Sequence, residues 1–204
     1  MAEDNKKHRS NARGAQDDVC QRENLPESLV KEYNYMLLLL PEELTILEKY
    51  REDLVNATSG FAETYYDYLF NNPDIAEVLY SFERSGGDAG SLIRAEMGGM
   101  LGSVINPSDT TLQTKLLMAG CALREHGFRP LWIVASYNLL INFISENLPG
   151  LDISFADKET LRSVTARLLL RSLGLTLEGF WQSDHESLEK EMRYFEKELG
   201  TVED

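Results

Sequence analysis

Beyond residue 25, apolar residues recur every three or four positions, and no segment shows a strand's alternation between turn residues. That spacing constrains the fold more than any other feature, because each stretch can bury only one stripe of a helix. Pro, Gly and Asn punctuate the pattern. Leu25-Pro26-Glu27 opens a helix that carries Leu29, Val30, Tyr33 and the run Met36 to Leu40. Pro41 suits a first helical turn, with Leu44, Leu47 and Leu54 following. Thr58 or Ser59 is the expected cap of a helix bearing Phe61, Tyr65, Tyr68 and Leu69, and Asn71-Asn72-Pro73 stops it. A short helix with Ile75, Val78 and Leu79 follows, then a loop over Ser85 to Gly90. Helical spacing resumes from Leu92 to Val104 and ends at Asn106-Pro107.

Ser108-Asp109 caps the next helix, which runs to about His126, and Pro130 starts another that Pro149-Gly150 closes. Ser154 or Asp157 caps a long helix from Lys158 to about Trp181. Beyond it, Leu188, Met192, Phe195 and Leu199 recur at spacings of 4, 3 and 4, flanked by Glu and Lys, as in a coiled-coil seam. Seven to nine helices without strands predict an all-α fold. Residues 1–24, with five basic and five acidic side chains and no period, read as a solvated arm.

Charge narrows the function. With 34 acidic against 20 basic residues the net charge is −14, and the pI is near 4.7. Nucleic acid and anionic membrane both need a basic footprint, so neither is an expected partner. Two cysteines, Cys20 and Cys121, are too few for a disulfide framework and suit a reducing cytoplasm. The apolar run Met36 to Leu40 is far too short to span a bilayer, and the polar start MAEDNKKHRS is unlike a signal peptide. No Gly-rich phosphate loop, metal-spaced Cys or His pair, or Ser-His-Asp set stands out, so the chain reads as a non-enzyme.

Two stretches resemble a known family. FAETYYDYLFNNPDIAEVL, residues 61–79, is similar to the second helix of sensor-type globins. GCALREHGFRPLWIVASY, residues 120–137, resembles the junction of helices F and G in the globin-coupled sensor and protoglobin family. There the order is Gly, His three later, Gly four after that, then Pro, Trp and an aromatic residue. Gly120, Gly127, Pro130, Trp132 and Tyr137 fall on it. The likeness spans roughly residues 25–182, leaving 183–204 as a C-terminal amphipathic helix and tail.

The resemblance implies a globin-like sensor fold with an extra N-terminal helix, holding haem b and a gaseous ligand such as oxygen. It also implies a homodimer built on the last two globin helices, and signal transduction to a partner protein. Tyr66 falls where the family places a distal tyrosine that donates to bound oxygen. Met97, Gly98, Gly99 and Met100 lie on the helix that would line the distal side, Leu101 is a further expected cofactor contact, and Trp132, Tyr137 and the last helix would carry motion toward the dimer. The chain departs from the family at the proximal position, which is Leu123. Of the three histidines only His126 is near, three residues on, about 4.5 Å along the helix and roughly 60° around it.

Each of these residues has a plainer role open to it. His126 also reads as a last-turn histidine that the helix dipole and Glu125 would keep protonated. Tyr66 also reads as a packed aromatic beside Tyr65 and Tyr68. The run around Cys121 is similar to the bilin-attachment helix of phycobiliproteins, but its Cys-to-Arg spacing is one residue longer, and a buried thiol is the simpler role. The contrasting expectation for the whole chain is a haem-free globin-fold sensor or interaction module. Leu123, Tyr66, Met97, Met100 and Leu101 would then line an apolar cavity for a small lipophilic ligand.

Overall fold

Prolines and short polar side chains set the helix boundaries. The computed structural model describes the backbone of residues 39–107 and 109–200, with side chains through Gln182 except at Thr110. Helix α1 is Pro41–Lys49, with proline in its first turn and the Glu43 carboxylate accepting from the Leu40 amide at 2.9 Å. Helix α2 is Arg51–Ala57 and α3 is Phe61–Asn71. The expected cap of α3 is corrected here. Thr58 and Ser59 turn their hydroxyls back onto the carbonyls of Leu54 and Asn56, finishing α2, while α3 begins after Gly60 with no side-chain cap.

Helix α4 is Pro73–Arg84, capped by the Asn72 side chain, which accepts from the amides of Asp74 and Ile75. Helix α5, Ala89–Ile105, starts inside the segment expected to be loop, because the Asp88 carboxylate caps it by accepting from the Ser91 amide. Asp109 caps α6, Thr110–Glu125, in the same way, and α7 is Pro130–Asn147, followed by a 3-10 turn at Leu148–Gly150. Ser154 starts α8: its hydroxyl accepts from the Asp157 amide, and the helix runs Phe155–Gly200. The break expected near Trp181 does not occur. One helix of 46 residues, about 69 Å long, crosses the boundary drawn at 182.

Among the described residues there is no strand, as the all-α expectation requires. Helix α8 is the axis of the packing and lies against α1, α5, α6 and α7, while α3 rests on α4 and α7. Leu161, Val164, Leu168 and Leu169 give α8 a fully buried stripe. Glu43 of α1 pairs with Arg167 of α8, and the Tyr50 hydroxyl donates to Asp157 at 2.6 Å. The expected arm at 1–24, the helix from Leu25 to Leu38, and the side chains of Leu188, Met192, Phe195 and Leu199 lie outside the described residues.

Helices α6 and α8 approach to backbone contact. A Cβ at Gly120 would overlap the carbonyl oxygen of Thr176, and one at Gly179 would overlap that of Leu117. Only glycine lets two helices come this close. The Cys121 thiol donates to the Gly179 carbonyl at 3.2 Å across the crossing. Downstream, α6 ends on Gly127, whose φ is +81°. The Gly127 amide donates to Arg124 and the Phe128 amide to Leu123, closing a Schellman cap.

Candidate functional site

The sequence pattern at 120–137 builds a structural junction. Gly120 permits the α6–α8 crossing and Gly127 supplies the left-handed residue that ends α6. Pro130 occupies the first turn of α7, and the Trp132 ring meets that of Phe128 edge to face and lies under the Arg129 guanidinium. Tyr137 is fully buried and its hydroxyl meets the Thr176 hydroxyl at 2.9 Å, tying α7 to α8. Burial raises the Tyr137 phenol well above its ordinary range.

Leu123 has 0% exposure and belongs to the same core cluster as Met100, Trp132 and Tyr137. Met97, Leu101 and Tyr66 are partly buried and pack against that cluster from its edge. Tyr66 stacks on the exposed ring of Phe70, with centroids 6.2 Å apart. His126 is the C-cap of α6, half-buried, with its ring 3.9 Å from that of Phe82. Burial lowers its basicity against the opposing pull of Glu125, so the protonated form expected from the dipole and Glu125 is disfavoured. The structure thus joins Leu123, Trp132 and Tyr137 in the interior and leaves Tyr66, Met97, Leu101 and His126 at its margin.

These residues do not fit a haem iron where the resemblance would place it. The inward position on α6 is an alkyl side chain with no lone pair. The imidazole belongs to the residue that terminates the helix, and its ring packs against Phe82. Among the described residues no group of three or more His, Cys, Asp and Glu could hold a metal ion. A cavity of about 290 Å³ lies elsewhere, between α1–α2 and the α5–α6 turn, lined by Leu44, Leu47, Glu48, Arg51, Ile105, Asn106, Pro107 and Asp109. None of the expected apolar lining residues takes part in it.

The polar centre of the interior is a different set. Tyr65 of α3, fully buried, donates to the Glu96 carboxylate of α5 at 2.6 Å and lies 3.3 Å from the Ser136 hydroxyl of α7. Ser136 in turn donates to the Trp132 carbonyl at 3.0 Å, and the Tyr68 hydroxyl approaches the same carbonyl at 3.4 Å. Glu96 is only 3% exposed. Burial pushes its carboxyl up to about 7, against the opposing effect of the Tyr65 hydrogen bond. Burial, then Glu96, raises the Tyr65 phenol in turn. Motif spacing does not single out Glu96, although its position carries a signal: 96 is three after Ile93 and four before Met100, on the buried stripe of α5.

No family model, curated protein or solved structure matches this chain. No helix among the described residues is long and apolar enough to cross a membrane.

Proposed function

We propose that the chain is a haem-free, globin-like sensor or interaction module that pairs with a second copy through the outer edges of α7 and α8. One observation carries this reading. Helix α8 is fixed along its inner side, yet Leu170 and Trp181 on its outer side stay 54% and 52% exposed, with Leu177 half-buried between them. In sequence, Leu188, Met192, Phe195 and Leu199 continue at helical spacing along the same unbroken helix. Leu131 and Val134 add exposed apolar area on α7.

In this reading Leu123 fills the core where the resembling family carries an iron ligand, and the helix scaffold is kept for communication. A small lipophilic ligand or a signalling partner that favours one arrangement of α6 would shift α8 with it, since the two helices touch at Gly120 and Gly179. The buried Cys121 thiol suits a cytoplasmic setting. Haem b held by His126, with oxygen as ligand, remains what the resemblance alone implies, and nothing in the donor geometry favours it.

Size exclusion with light scattering tests the pairing. The full chain is expected to run as a dimer at micromolar concentration. The double variant Leu170→Glu and Trp181→Glu should run as a monomer with unchanged helical circular dichroism. A full chain that is monomeric, or a double variant that stays dimeric, contradicts the proposed surface.

A further inference from the structure

The hydrogens around Glu96 can be counted. A phenol and a hydroxyl each donate one hydrogen, and an ionised carboxylate donates none. With Glu96 ionised, the Tyr65 hydrogen goes to Glu96 and the Ser136 hydrogen goes to the Trp132 carbonyl. The 3.3 Å contact between Tyr65 and Ser136 then gains a hydrogen only if Ser136 gives up the Trp132 carbonyl, leaving it to the longer 3.4 Å contact with the Tyr68 hydroxyl. With Glu96 protonated, its own hydrogen serves the Tyr65 oxygen, and the phenol hydrogen turns to Ser136. The bonds then run unbroken from Glu96 through Tyr65 and Ser136 to the Trp132 carbonyl, joining α5, α3 and α7.

We propose that Glu96, Tyr65 and Ser136 form a proton-operated latch, in which one proton on Glu96 binds α3, α5 and α7 together and its loss loosens α5. The idea stands apart from the pairing of α8 and from the haem-free reading. The ionisable groups facing Glu96 are phenols, Tyr65 and Tyr68 from α3 and Tyr137 from α7. Among the described residues, no charged side chain of α2, α4, α6 or α8 pairs with it, and its only hydrogen-bond partner is Tyr65. Arg94, two residues before Glu96 and so on the opposite side of α5, pairs with Asp88. An ionised Glu96 therefore has one donor and no cation, an arrangement that a buried carboxylate tolerates poorly.

The folded chain holds the Glu96 proton up to about pH 7, whereas an unfolded chain releases it near 4.5. The contribution to stability is complete below the lower value and is lost as pH rises through the upper one. Chemical unfolding of wild type and Glu96→Gln between pH 5 and 8 tests this, because the amide can donate to Tyr65 at any pH. The unfolding constant of wild type relative to the variant should rise roughly a hundredfold over that range. A constant ratio overturns the latch.

Infrared titration of the folded protein gives a second reading that does not depend on how well Glu96→Gln folds. A protonated carboxyl band should titrate near neutrality. In Ser136→Ala its midpoint should fall, because Ser136 accepts from Tyr65 only in the protonated state. A band that titrates entirely below pH 5.5, or a midpoint unmoved by Ser136→Ala, contradicts the proposal.

Discussion

Leu123 and His126 sit three positions apart on one helix and carry opposite loads. Leu123 is enclosed on every side, so Leu123→Ala should leave a cavity and cost about 2–5 kcal/mol. His126 is half-buried at a helix end, and His126→Ala should cost no more than about 1 kcal/mol. Thermal unfolding of the two variants checks the order, and a larger loss at His126 would show that its ring does more than cover Phe82. The departure at Leu123 was legible in the sequence, since an aliphatic residue in a register of Gly120, Gly127 and Pro130 is visible without coordinates. Glu96 is inconspicuous in the sequence because a lone acid inside a helix ordinarily marks the solvent side. Its place on the Ile93–Met100 stripe decides otherwise, and only burial shows what the position costs. The resemblance points to Tyr66, whereas the Phe61, Tyr65 and Leu69 spacing puts Tyr65 on the inward stripe of α3.

The helices were legible where punctuation was chemical. Pro41, Asn72-Pro73, Asp109 and Pro130 start elements because each fixes φ or satisfies an end amide, and that physics is local. Where the outcome depended on packing, the spacing misled. Thr58 and Ser59 look like caps, but their hydroxyls serve the preceding helix. The continuity of α8 past Trp181 is hidden by the polar stretch from Gln182 to Ser187, which separates two apolar runs without breaking the helix. The glycines divide by environment in a way that sequence does not show. Gly120→Ala and Gly179→Ala would each push a methyl into a backbone carbonyl and force α6 from α8, with an expected loss of about 1–3 kcal/mol or more. Gly98→Ala meets open space in the middle of α5 and should stabilise the chain by about 0.5–1 kcal/mol. Urea unfolding of the three variants reads this directly, and equal effects at all three would contradict the close crossing.

At the scale of the molecule, the all-α class came from the absence of strand periodicity, while the arrangement of the helices came from contacts that spacing cannot encode. Among the described residues, helix α8 packs on α1, α5, α6 and α7 and leaves Leu170 and Trp181 exposed. A chain ending before Ser183 keeps that outer edge while losing the seam positions from Leu188 onward. Sedimentation of this truncated form should show a weaker dimer than the full chain, with the difference measuring what the seam adds. An unchanged dissociation constant would assign the pairing to the body of the bundle alone. The acidic surface implied by the net charge of −14 should favour basic over acidic partners and weaken with salt.

Hemin titration followed in the visible range decides whether the helical frame works without a metalloporphyrin. The full chain, expressed with haem precursor or mixed with hemin, is predicted to show no Soret band beyond that of unbound hemin. A stoichiometric Soret band that disappears in His126→Ala would contradict the haem-free reading, because it would require α6 to deliver its terminal imidazole to iron in place of Leu123.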